Sequence, residues 1–237
     1  MVVYRPDTGR AQVKVMFDLE EGDHVVVGNN GIRKYELKTP IDYAPTISGI
    51  AQALLAKDAK VLLVAGDGVI SGDAGQLIKQ LAKMGFIHQA HLTPAFINAD
   101  VERLRMGTVE GRNSAGAHRP ENELHALSDI RAAGGLADKT KFRRSMRGSV
   151  TAALIAQGVD VMSADSPFQT GEIPGTPATT MAAQKAMKRQ LWDGTTVILN
   201  LCTVLTGVAT GNLSARDVTY VMVDRDGWIT AKLKGLS

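Results

Sequence analysis

Only one cysteine, Cys202, stands in 237 residues, and aromatic side chains make up 5% of them. A lone thiol can form neither an internal disulfide nor a multi-cysteine metal centre, so a reducing compartment, the cytosol, is expected. Excess charge is scarce as well: 27 Lys and Arg against 24 Asp and Glu leave a net charge of +3. That excess is too small to argue for nucleic acid as the partner. Long apolar runs are missing. Val61 to Ala65 and Thr196 to Val204 fall well short of the roughly 20 residues that cross a bilayer, so no membrane span is expected. The first ten residues hold Arg5, Asp7 and Arg10 around no apolar centre, unlike a secretory leader. Internal repeats and low-complexity tracts are absent. With 44% apolar residues, 24 Gly and 8 Pro, collagen-like and disordered classes are excluded. No His, Cys and acid cluster has metal-ligand spacing, so no metal is expected. The Gly-x-Ser-x-Gly elbow and the phosphate-loop lysine are missing too, which removes simple hydrolase and kinase readings.

What is present divides the chain in two. Residues 1–45 read as a small β-rich appendage. Gln12 to Phe17 and His24 to Gly28 are expected as short strands around the acidic turn Asp18 to Asp23, and Asn29-Asn30-Gly31 marks a turn. Residues 46–237 read as an α/β domain. Ile47, Ile50, Ala51, Leu54 and Leu55 share a helical face, and Val61 to Ala65 is a continuous apolar run suited to a strand covered on both sides. Helix 73–84, with Asp73 as its N-terminal cap, strand 89–92 and helices 95–105, 121–133 and 149–157 are predicted next. Strand 160–164, helix 179–191 and strands 196–201 and 218–223 complete the pattern. Strands separated by helices imply a mostly parallel sheet with helices on both faces, a Rossmann-like architecture. The basic stretch Lys139 to Arg147 carries five cations in nine residues. It reads first as a solvated helix end or loop, with phosphate binding as an alternative.

In open parallel sheets, ligands bind beyond the carboxyl ends of the strands. Five such places can be named. Gly66-Asp67-Gly68-Val69-Ile70-Ser71-Gly72-Asp73 follows the first core strand, and its glycines allow a tight turn next to a helix start, a setting for pyrophosphate. Thr93 to Ala95 follows the second. The loop from Ser163 to Gly175 is rich in Pro and Gly and offers Asp165 and Glu172 for an ammonium group or a proton transfer. Thr206 to Asn212 is built of small residues, and Asp224 is placed to bind ribose hydroxyls. His118, beside Arg119 in a polar loop, could face the same site. His88, His91 and His125 read as structural.

The order of these pieces resembles the LOR/SDH bifunctional-enzyme domain family, which includes archaeal ornithine cyclodeaminases. The matching stretches are Glu21 to Gly28 with Gly31 to Arg33, Val64-Ala65-Gly66 with Val69 to Gly72, and Asp100-Val101-Glu102 with Gly107-Thr108. His118-Arg119, Ile130 to Gly135, Ala183 to Met187, Ala209 to Asn212 and Val223-Asp224 follow in the same order. The resemblance implies a deoxyhypusine-synthase-like Rossmann fold that binds NAD through Gly66, Gly68, Ser71, Gly72, Asp73, Thr93, Ala95, Thr210, Gly211, Asn212 and Asp224. It also implies a small amino-acid-like substrate, a homo-oligomer (dimer or tetramer), and a reaction in which a hydride leaves an amine-bearing carbon, ammonia is lost and the hydride returns. Glu172, Asp165 and His118 are the expected catalytic residues. Two places depart from the family: the stretch Phe168 to Pro174, where the family carries paired acids, and Thr93-Pro94-Ala95. Both are where a substrate would be chosen. The alternative reading is a dinucleotide-binding regulatory or assembly module without turnover.

Overall fold

The computed structural model describes residues 2–5, 10–13, 19–28, 31–34, 42–163, 172–203 and 217–223. The chain divides into two compact units, Met1–Thr46 and Ile47–Ser237.

The first unit is built of two antiparallel hairpins. Strand β1 (Val2–Arg5) pairs with β2 (Arg10–Val13), and β3 (Val25–Gly28) pairs with β4 (Gly31–Lys34). Sequence pattern finds β3, but it misses β1 and β4 and starts β2 too late; the expected turn residues Asn29 and Asn30 lie outside the described residues. The acidic turn therefore joins two hairpins instead of closing one. Its Asp23 accepts from the Glu20 amide and pairs with Lys34, and these contacts hold its carboxyl below the ordinary range.

The second unit is a parallel sheet of five strands in the order β7-β6-β5-β8-β9. Helix α1 (Ala44–Leu55) leads into β5 (Val61–Ala65), and α2 (Gly68–Ser71) and α3 (Gly75–Lys83) lead on to β6 (Gln89–Leu92). Four helices follow: α4 (Pro94–Met106), α5 (Glu121–Ala132), α6 (Lys139–Ser145) and α7 (Val150–Ala156). The chain closes with β7 (Asp160–Ser163), α8 (Thr180–Trp192), β8 (Val197–Leu201) and β9 (Thr219–Val223). The α/β Rossmann architecture is as the alternation of strands and helices requires.

Alternation along β5 explains both layers. Val61, Leu63 and Ala65 join the large core with Ile78, Phe96, Ile97, Phe142 and Leu154. Leu62 and Val64 point to the opposite face, where Met187 and Leu191 of α8 meet Ile198. Because β7 is an edge strand and β8 lies beyond β5, the chain must cross back over the sheet, and α8 is that crossing. The strand order reverses at β5, which puts the crevice of the fold beyond the carboxyl ends of β5 and its neighbours.

Local sequence sets the helix ends. Thr93, Ser149 and Thr179 cap α4, α7 and α8 through bonds from Phe96, Ala152 and Ala182 amides. Asp73 does not cap α3, as its sequence position suggested. The chain forms the short helix α2 first, Asp73 takes the left-handed conformation (φ 60°), and Ala74 occupies the cap position. The basic stretch forms α6, which its charge density hides: Phe142 and Met146, one turn apart, anchor it in the core.

Candidate active site

A cavity of about 260 Å³ opens beyond the carboxyl ends of β5 and β6. Asp67, just after β5, forms one wall. Helix α4 supplies Ala95, Asn98 and Glu102, α5 supplies Glu123 and Leu127, and the segment after residue 171 brings Glu172 and Ile173. Glu110 closes the ring from a tight hairpin.

That hairpin is held by design of its backbone. Val109 and Arg112 exchange both backbone hydrogen bonds, at 2.8 and 2.9 Å, so Glu110 and Gly111 form a two-residue turn with φ of 53° and 68°. Such turns favour Asn-Gly, and a glutamate there costs about 1 kcal/mol or more. Buried Glu102 enforces the turn: one of its carboxylate oxygens accepts from Thr108 Oγ1 at 2.6 Å and from the Gly111 amide at 2.9 Å. Asn122 donates to the same threonine hydroxyl at 2.9 Å. Glu110 is thereby aimed at Asp67, with which it hydrogen-bonds. That bond, followed by desolvation and by repulsion from Asp67, Glu123 and Glu102, raises the Glu110 carboxyl above the ordinary glutamate range. Glu110 therefore holds a proton more readily than an isolated glutamate does.

Glu172 is fixed from a distance. The turn after α5, Gly134-Gly135, has φ of 82° and 53°, and the following amides of Leu136 and Ala137 both donate to the Pro174 carbonyl, at 2.7 and 3.0 Å. Arg131 Nε donates to the Glu172 carbonyl at 3.1 Å. These bonds clamp the segment and present the Glu172 side chain at the cavity.

Of the residues expected from sequence, Ala95 and Glu172 line the cavity, and Asp67 joins them. Thr93 is buried, with its hydroxyl engaged in the α4 cap at 3.0 Å. Gly66 and Gly68 serve the backbone: a Cβ on Gly66 would lie 2.2 Å from the Cys202 carbonyl oxygen, and one on Gly68 would lie 2.8 Å from the Cys202 Cβ. Ser71 and Gly72 belong to α2 and its end, where the amides of residues 69–74 are already bonded to preceding carbonyls. The open glycine loop expected there is thus a helical turn. Asp73 faces a separate depression and pairs with Arg103. His118 sits exposed on the hairpin, bridged to Arg112, and is not among the lining residues. Asp165, Thr210, Gly211, Asn212 and Asp224 lie outside the described residues. Asn98, Glu102, Glu110 and Glu123 escaped sequence reasoning. The available signal was Asp100-Val101-Glu102 within a predicted helix, but nothing in linear order brings Glu110 to Asp67.

Residues 46–235 match the family model described as arginine dihydrolase ArgZ-like, C-terminal, Rossmann fold. The chain belongs to this family. Among curated proteins, this ArgZ-like chain is 29% identical over 258 residues to the ornithine cyclodeaminase of Methanopyrus kandleri, covering 98% of this chain and 61% of that protein. It is 25% identical over 260 residues to the bifunctional arginine dihydrolase/ornithine cyclodeaminase AgrE of a Nostoc species, covering 98% and 36%. It therefore spans about three fifths of the length of the archaeal relatives and about a third of AgrE. Among solved structures, the ArgZ-like fold superposes on a conserved protein assigned to the LOR/SDH group from Methanococcus maripaludis S2, with TM-score 0.70, 24% identity and coverage of 98% and 75%. It also superposes on AgrE in its ternary complex with ornithine and NAD+, with TM-score 0.74, 24% identity and coverage of 98% and 35%. Among the described residues, no helix is long and apolar enough to cross a membrane.

Proposed function

We propose that this chain supplies the NAD-dependent site of an ornithine-cyclodeaminase-like enzyme, which takes ammonia from a diamino acid. One observation carries the reading: Asp67, Glu102, Glu110, Glu123 and Glu172 converge on one cavity that, among the described residues, no Lys, Arg or His lines. A site of that sign attracts ammonium groups and repels phosphates. Relatives named ornithine cyclodeaminase, and the AgrE structure holding ornithine and NAD+, support the same reading.

The fit of NAD turns on the β5 and β8 side of the crevice. Gly66 and Gly68 let the end of β5 close on Cys202 after β8, which keeps backbone at the surface of the crevice there, whereas the acidic cavity repels a dinucleotide's phosphates. Gly66 and Gly68 would hold the cofactor together with Thr210, Gly211, Asn212 and Asp224, the last at the ribose hydroxyls. When bound, the nicotinamide supplies the hydride acceptor. The chain's own carboxylates do the rest. Asp67 and Glu110 hold and orient a substrate ammonium, and Glu172, with Asp165 in the same loop, moves a proton at the amine nitrogen. Residues 46–237 are proposed as the cofactor-binding domain and residues 1–45 as its appendage, in a cytosolic homo-oligomer.

Purified protein given NAD and L-ornithine is expected to release ammonia and to show the absorbance of reduced nicotinamide transiently. Glu172→Gln should keep NAD affinity and lose turnover by about 100-fold or more, the usual scale for a proton-transfer residue. If no ammonia appears across a panel of diamino and amino acids although NAD binds, the chain is a binding module and the reading fails. Full turnover in the Glu172 variant removes that residue from the mechanism.

A further inference from the structure

A second depression, of about 440 Å³, lies along α6 and α7 and shares no lining residue with the acidic cavity. Its charge is of the opposite sign. Lys79 of α3, Arg143 and Arg144 of α6, and Arg147 just beyond α6 line it, and among the described residues no carboxylate does. Every other cavity described has at least one acid in its wall. We infer that this depression is a binding site for a small phosphate-bearing anion.

The local structure explains how the cations come together. Phe142 and Met146 face the core, so the intervening and following arginines turn outward, with Arg143 on the last turn of α6 and Arg147 just past its end. Lys79 crosses from α3 and donates to the Gly148 carbonyl, which fixes it at the rim. The neighbouring cations are neutralised: Lys139 pairs with Asp160, Arg103 with Asp73 and Arg105 with Asp129. Among the described residues, Arg143, Arg144 and Arg147 have no carboxylate within ion-pairing distance. Four like charges around one hollow repel one another, and an anion relieves that repulsion while accepting paired guanidinium bonds.

The start of α7 plays no part in the attraction. Asp100 accepts from the Val150 amide at 2.8 Å and the Thr151 amide at 2.7 Å, and Ser149 accepts from Ala152 at 3.0 Å, so those donors are taken. The side chains carry the recognition. Ala152, Ala153 and Ala156 form a small, flat floor with room for the body of the ligand. Its bounded volume and the lack, among the described residues, of a lining aromatic on which bases could stack favour a small phosphorylated compound over a nucleic-acid strand.

The test is calorimetric titration of the full chain with inorganic pyrophosphate at near-physiological salt. Saturable one-to-one binding is expected, weakened at least tenfold in R143Q/R147Q and unchanged in the control K57Q/K185Q, which removes the same charge from exposed sites elsewhere. Ala156→Glu leaves every arginine in place and puts a carboxylate at the exposed edge of the floor, so it should weaken binding to a similar degree. Non-saturable binding, equal losses in the control, or an unaffected Ala156 variant would each overturn the site. So would an oligonucleotide that binds through these arginines while pyrophosphate does not. None of these outcomes depends on turnover of any amino acid, so the proposed reaction and this site stand or fall separately.

Discussion

Glu110 shows how one residue can carry both strain and charge. Its left-handed backbone is enforced by the buried Glu102 bonds to Thr108 and Gly111, and its carboxyl is enforced upward by the bond to Asp67. The sign of the resulting pH effect follows from linkage. With a folded value above the unfolded one, Glu110 stabilises the unliganded protein fully below the ordinary glutamate range. That contribution is lost as pH rises through the folded value. A bound ammonium acts in the opposite sense, since it prefers the ionised pair. Affinity for a diamino acid should therefore rise with pH through the interval that starts at the ordinary glutamate value and extends above it, then level off, with protons released on binding. Glu110→Gln should remove both the slope and the proton release in calorimetry run in buffers of different ionisation enthalpy. A wild-type profile that is flat across that interval would sever the link between this pair and the ligand.

At the scale of elements, the clamp between the turn after α5 and the segment 172–176 decides whether Glu172 reaches the cavity. Gly175 has φ of 89°, and a Cβ there would lie 2.2 Å from the Ala137 amide nitrogen and 2.5 Å from the Leu136 carbonyl carbon. Gly158 has a similar φ of 78° but nothing within 4 Å of an added Cβ. Gly158→Ala should cost only the backbone penalty, about 1 kcal/mol. Gly175→Ala adds a clash with backbone that cannot yield and should cost about 2–4 kcal/mol, with loss of ligand affinity. Equal urea midpoints for the two variants would show that the clamp is slack. The sequence makes this geometry only partly legible. A continuous apolar run marks β5, because a strand buried on both faces needs one, and the helices that Ser149 and Thr179 cap are found from their apolar pattern. The basic α6 is concealed because its only apolar anchors are Phe142 and Met146. The acidic ring is concealed for a different reason: five side chains from separate segments meet only through tertiary packing, and no periodicity encodes that meeting.

Over the whole molecule, burial assigns stability to the second unit. Every residue of both core clusters lies between Val61 and Val221, and the partly buried residues packed on them begin at Ile50. Residues 19–26 of the first unit, where accessibility is described, are exposed or at most half-buried, with Val26 at 55% exposure. Two-stranded hairpins of four-residue strands are marginal by themselves. The parallel sheet, by contrast, has helices on both faces and a core of the size that folds cooperatively. A fragment comprising residues 42–237, which keeps α1 whole, is therefore predicted to retain a single cooperative thermal transition and to give up only a small part of the parent's stability. It should also keep saturable NAD binding, because every residue proposed to hold the cofactor lies at or beyond Gly66. Calorimetry of the fragment beside the parent checks the first expectation, and NAD titration checks the second. A fragment that melts without a cooperative transition would mean that the hairpin unit completes the fold. A fragment that melts cooperatively but no longer binds NAD would mean that residues 1–41 contribute to the cofactor site.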